Sequence, residues 1–168
     1  PDVILGQMES QGTDRNTGIG VNASSLQYPS GIWTNGKKLI VADAWNHRVL
    51  VWHTMPKKHG QPADVVIGQP HFNTNFPNVE GLSKPCSSQS LYWPYGVCSN
   101  GHELWIADTG NRRILYFRNI PDKNFAQADD VIGQNSFNER DYDNQHAVWP
   151  YAVKISSDGA MLVTDTQY

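Results

Sequence analysis

The sequence predicts an all-β fold, a β-propeller of four-stranded antiparallel blades, present here as a partial arc of about two and a half blades. Three observations lead to it. The stretch Pro94 to Phe117 contains three short apolar runs separated by the turn clusters Asn100-Gly101 and Thr109-Gly110-Asn111, which reads as an antiparallel meander. The stretch recurs: Pro29 to Trp52 repeats it upstream and Pro150 to Thr166 repeats its first part downstream. Finally, runs such as Leu39-Ile40-Val41-Ala42 and Leu104-Trp105-Ile106-Ala107 are apolar at consecutive positions. In a meander this means that both faces of the sheet are covered, as in radially stacked blades. A two-sheet sandwich leaves one face wet and gives cleaner alternation.

The repeat carries a second mark, Asp2-Val3-Ile4-Leu5-Gly6-Gln7, Asp64-Val65-Val66-Ile67-Gly68-Gln69 and Asp130-Val131-Ile132-Gly133-Gln134. Successive Gly-Gln pairs lie 62 and 65 residues apart, and the strand-ending aspartates Asp43, Asp108 and Asp165 lie 65 and 57 apart. A minimal blade of this kind takes roughly 40–45 residues, so the excess must sit in long loops.

In chain order, residues 1–7 read as the outer strand of a preceding blade, followed by a polar loop over 8–27 that holds the sequon Asn22-Ala23-Ser24. A first blade spans 29–69, with strands near 30–34, 39–43, 48–53 and 64–69 and a Pro/Gly/Lys loop over 54–62. After a loop over 70–92, a second blade spans 94–134, with strands near 95–99, 103–107, 113–118 and 129–134. Its Asn100-Gly101 turn is expected to be type I′, with positive φ at both central residues. A third long loop over 135–148 leads to the inner half of a blade at 150–168, with strands near 151–155 and 160–165. No segment shows the i, i+3, i+4, i+7 spacing of an amphipathic helix. The start on an outer strand and the stop inside a repeat suggest a piece of a longer polypeptide, whose remaining blades, or a partner chain, would cover the two open ends of the arc.

Composition excludes several classes. The net charge is −3 with no basic run, and Lys57-Lys58-His59 reads as a solvated loop, so nucleic acid is not an expected partner. No run of about 18 apolar residues offers a membrane span. No signal peptide is evident. Two cysteines do not make a disulfide framework. Cys98, in an apolar strand, reads as a buried thiol, with a Cys86–Cys98 disulfide as the other reading.

At Ala42-Asp43, Asn46-His47-Arg48-Val49-Leu50 and Ala107-Asp108-Thr109-Gly110-Asn111-Arg112-Arg113-Ile114-Leu115, the chain resembles the NHL-repeat β-propeller family. It is similar in particular to bacterial tandem-repeat members with an Ala-Asp-Val-Val-x-Gly-Gln strand. Two repeats carry the whole pattern; the third stops after Asp165-Thr166-Gln167-Tyr168, before its Asn-x-Arg. The resemblance implies a six-bladed ring, an extracytoplasmic or secreted home, and one of three roles. The first is a non-enzymatic scaffold binding a protein, peptide or sugar. The second is a lyase- or lactonase-type enzyme with Ca or Zn on the axis and catalytic groups in other blades. The third is a structural module of a larger secreted or surface assembly.

The residues themselves offer two constellations. Asp43 and Arg48, and Asp108 and Arg113, stand five apart across a turn, where carboxylate and guanidinium can meet and the carboxylate can also take turn N–H groups. Because the pair repeats, it reads as a structural clamp rather than a catalytic carboxylate, and Asp165 is its third copy. An aromatic residue also precedes each inner-strand proline (Tyr28, Trp93, Trp149), and two repeats add Tyr95 and Tyr151. These five read either as loop packing or as a ligand-binding rim at the channel mouth. No catalytic residue is expected. There is no G-x-S-x-G, Gly18-Ile19-Gly20 lacks the context of a dinucleotide site, and Asp129-Asp130 reads as exposed edge charge. His47, His53, His59, His71, His102 and His146 show no ligand spacing, so these residues predict no metal or cofactor.

Overall fold

The computed structural model describes residues 2–9, 11–142 and 147–166. His146, Gln167 and Tyr168 lie outside them. The described chain is all-β, organised in three antiparallel sheets. The first has the order β1 (Pro29–Thr34), β2 (Leu39–Asp43), β3 (Arg48–Trp52), β4 (Val65–Ile67). The second repeats it with β5 (Pro94–Ser99), β6 (Leu104–Asp108), β7 (Arg113–Phe117) and β8 (Asp130–Ile132). The third pairs β9 (Pro150–Ile155) with β10 (Met161–Asp165).

The registers are equivalent. Each first strand pairs its proline with the strand-ending aspartate, as Pro29 with Asp43, Pro94 with Asp108 and Pro150 with Asp165, and each pairing carries an irregularity beside that pair. The first strands also approach one another across sheets. A Cβ on Gly31 would stand 2.7 Å from the Tyr95 carbonyl oxygen, and one on Gly96 would stand 2.6 Å from that of Tyr151. Only glycine allows backbone to pass backbone so closely.

The apolar pattern follows from stacking. Ile40, Ala42, Val49, Val51, Val65 and Ile67 of the first sheet share one core with Val97, Leu104, Ile106, Leu115 and Phe117 of the second. The opposite face of the second sheet, with Cys98, Trp105, Ala107 and Ile114, packs on Val153 of the third. Leu39, Val41, Leu50, Trp52 and Val66 form the far side of the first sheet, packed by Leu5, Leu26 and Phe72. The first two sheets thus bury side chains on both faces, at about 1.5–3 kcal/mol for each large aliphatic group.

Three expectations are corrected. Residues 2–6 are not a strand; they contribute one isolated parallel bridge, Gly6 to Ser25, because no strand among the described residues pairs with them. The outer strands β4 and β8 are shorter than 64–69 and 129–134. Gly68 and Gly133 turn the chain at φ 91° and 89°, and Gln69 and Gln134 fold inward, each donating to the carbonyl of the residue before the clamp arginine, His47 or Arg112. The Asn100 hairpin is not a two-residue type I′ turn. It is a four-residue loop between paired Ser99 and Leu104, with positive φ at Gly101 and not at Asn100. The Asn100 side chain closes it by accepting the N–H groups of His102 and Glu103. Of the two readings of the cysteines, the buried thiol holds: Cys86 and Cys98 are both buried and free, and no disulfide joins them.

Candidate functional site

The site is built on the turns that end β2 and β6. Each is a single 3₁₀ turn, Ala44–Asn46 or Thr109–Asn111, followed by a left-handed residue, His47 or Arg112. Asp43 Oδ2 accepts from Arg48 Nε at 2.7 Å and from Asn46 Nδ2 at 2.8 Å, while its Oδ1 takes the Gln27 N–H at 2.6 Å. Asp108 does the same with Arg113 Nε, Asn111 Nδ2 and the Tyr92 N–H, each at 2.8 Å. All four charged side chains are fully buried. Burial raises both carboxyls above the ordinary carboxylate range, and the guanidinium and the other donors offset only part of that rise. Three donors surround each carboxyl, so its charged form is the one that this geometry satisfies.

The arginines then gather the long loops. Arg48 donates to the carbonyls of Asn22 and Ser25 in the loop before its sheet and to that of Phe72 in the loop after it. Arg113 donates to Ser87 and Ser90 before and to Phe137 after. The three long loops therefore meet at the clamp end of the sheets. Among the described residues, Asp165 has only the first half of this arrangement, accepting the N–H groups of Val148 and Trp149, and it is exposed.

Sequence reasoning missed two further polar pairs. Asn16 and Asn46 exchange side-chain amide hydrogen bonds at 3.1 and 2.7 Å, and Asn78 and Asn111 do so at 3.0 and 2.8 Å. All four are buried. The available signal was an asparagine 62 residues apart in the loops at 16 and 78, matched by one three residues after each clamp aspartate.

The five rim candidates divide. Tyr28, just before β1, Tyr95 on β5 and Tyr151 on β9 form one row. Tyr28 meets Tyr95 edge-on at 6.2 Å between ring centroids, and Tyr95 meets Tyr151 at 5.1 Å. Trp45, which was not anticipated, extends the row by stacking on Tyr28 at 4.9 Å. Tyr28 is 58% exposed, Trp45 47% and Tyr151 41%. Trp93 and Trp149 do not join the row. Trp93 stacks on Tyr92 beside His47, and Trp149 lies under Arg112 together with Tyr142. Each tryptophan thus packs on the left-handed residue of the preceding turn, which is the loop-packing alternative. Tyr28 and Trp93 are themselves left-handed, at φ 53° and 50°, although each precedes a proline. Such backbone costs on the order of 1–3 kcal/mol.

His47 is buried and neutral at pH 7. Burial lowers its pKa to about 4, and its Nδ1 accepts the Trp93 N–H at 3.2 Å. Among the described residues no group of three or more His, Cys, Asp and Glu is placed to hold a metal ion. Nor is any helix long and apolar enough to cross a membrane. The sequon residue Asn22 is held in a turn, its side-chain oxygen accepting the Ser24 N–H and its amide donating to Gly20. An apolar groove of about 290 Å³ lies on the far side of the first sheet, lined by Leu5, Leu26, Ile32, Leu39 and Val41.

Compared with known proteins, the chain matches no family model and no curated sequence.

Proposed function

We propose that the chain is a non-enzymatic binding scaffold built from NHL-type propeller blades, with its first strands lining the axis. The equivalent registers of the three sheets and the glycine-dependent approach of β1, β5 and β9 support the blade reading. The observation that carries the binding reading is the row Trp45, Tyr28, Tyr95 and Tyr151, with Tyr95 half-buried and the other three exposed, at the end of the sheets where the long loops meet. Rigid aromatics with a polar tip supply contact area at low entropic cost, and loops on a rigid scaffold are where binding residues concentrate. A protein, peptide or sugar is the ligand class that suits it. The extracytoplasmic or secreted setting belongs to the same proposal.

The test is capture on arrays of immobilised glycans and peptides. The Tyr28→Ala/Tyr151→Ala double variant should lose about thirtyfold in affinity, the scale of a hot spot of about 2 kcal/mol, with an unchanged melting temperature. Equal capture by the double variant, or no capture by the unaltered chain on either array, overturns the reading.

A further inference from the structure

The outer strands show how one repeat is fastened to the next. Val66, in the middle of β4, donates its N–H to Asn124 Oδ1 at 3.0 Å and accepts the Phe125 N–H on its carbonyl at 2.9 Å. Asn124 and Phe125 lie in the loop between β7 and β8, one repeat further along. Ile4 is the position equivalent to Val66. It donates its N–H to His59 Nδ1 at 3.0 Å and accepts the Gly60 N–H at 2.9 Å. His59 and Gly60 lie in the loop between β3 and β4, again one repeat along. Phe125 and Gly60 are both left-handed, at φ 56° and 58°.

Two dissimilar loops therefore produce one latch. Each reads lysine, then a side chain with an acceptor, then a left-handed residue: Lys58-His59-Gly60 and Lys123-Asn124-Phe125. In each, the acceptor stands five residues before an aspartate, Asp64 or Asp129. That aspartate closes its own loop by taking the N–H of His53 or Arg118. The left-handed turn is what points the acceptor and the next N–H in the same direction, so both reach the backbone of one residue, Val66 on β4 or Ile4.

Val131 occupies the same position on β8. It faces Leu115 as Val66 faces Leu50. Among the described residues no loop reaches it; its N–H is taken at 2.8 Å by Asp130 Oδ1 on its own strand. The residue before the latched position is valine at both occupied sites, Val3 and Val65, and aspartate only here. A charged residue on an exposed edge guards against indiscriminate strand pairing. We propose that the β8 edge at Val131 is a docking site for a loop of this lysine–acceptor–left-handed type from a further repeat, which displaces Asp130 and makes the same two hydrogen bonds. The inference stands on the two occupied latches and not on the aromatic row.

The test uses the ¹⁵N-labelled chain and a head-to-tail cyclised peptide of residues 118–129 as the probe. Amide shifts should centre on Val131 and Ile132. The Asn124→Ala peptide should produce none, and Asp130→Val in the chain should tighten binding about fivefold, the worth of one hydrogen bond. Absence of shifts at β8 even in Asp130→Val, or shifts that the Asn124→Ala peptide reproduces, overturns the proposal. Within the chain, Asn124→Ala should speed hydrogen exchange at the Val66 amide; unchanged exchange there overturns the latch itself.

Discussion

Asp108 and Asp165 occupy the same position in successive repeats and carry different loads. Asp108 is buried against Arg113 with three donors, whereas Asp165 is exposed and takes two backbone N–H groups. Removing one partner of a buried pair strands the other charge, at a cost of about 3–5 kcal/mol. Asp108→Ala should therefore lower unfolding free energy by that amount in urea titration, and Asp165→Ala by about 1 kcal/mol. Equal losses would show that Arg113 adds nothing to the clamp. His47 gives a pH signature. Its folded pKa of about 4 lies below the ordinary 6.5, so the unfolded chain takes up the proton first. Its contribution is intact above pH 6.5 and is lost as pH falls toward 4, by up to about 3 kcal/mol. His47→Gln should flatten that part of the stability profile relative to the unaltered chain; superimposable profiles between pH 7 and 4 contradict it. The aspartate–arginine spacing was legible in the sequence because five residues across a turn leave few other partners. The asparagine pairs were not, because Asn16 and Asn78 sit in loops whose path no local rule specifies.

At the scale of elements, the first strands are bound by geometry that a single methyl group disturbs. Ala at position 96 would press its Cβ on the Tyr151 carbonyl and the Ala152 Cα. Gly96→Ala should cost about 1–3 kcal/mol, as overpacking does, and should displace β9 from β5. Amide shifts that spread through β9 and β10 while leaving β3 and β4 unchanged would register it; an unshifted third sheet would show that the close approach is relaxed in solution. The strand order and most strand bounds were readable because apolar runs and turn residues mark them directly. The outer strands were overestimated for a physical reason: Val65 to Gln69 looks uniformly strand-forming, yet Gly68 adopts positive φ and Gln69 turns inward to the His47 carbonyl. The segment 2–6 has strand-like residues, but among the described residues no strand pairs with it, and a strand is defined by its partner. In the aromatic set, the residue types were visible, but division into a tyrosine row and two tryptophan clusters depends on how the turns of adjacent repeats meet.

For the whole molecule, stacked repeats imply a stability that is the sum of each sheet and its interfaces rather than one indivisible transition. The second sheet has a neighbour on both faces, with Ile106 and Leu115 fully buried on one side and Ala107 on the other. The third sheet has one covered face, and Leu162 and Val163 on β10 are exposed. Local opening follows buried contact, so amide exchange should be slowest in β6 and β7, intermediate in β2 and β3, and fastest in β10. Leu115→Ala, which removes a side chain from the core shared by the first two sheets, should cost about 2–5 kcal/mol. It should accelerate exchange in the first and second sheets together and leave β10 nearly unchanged, because β10 already opens independently. Uniform exchange across all ten strands, or equal acceleration in β10, would mean that the three sheets unfold as a single unit.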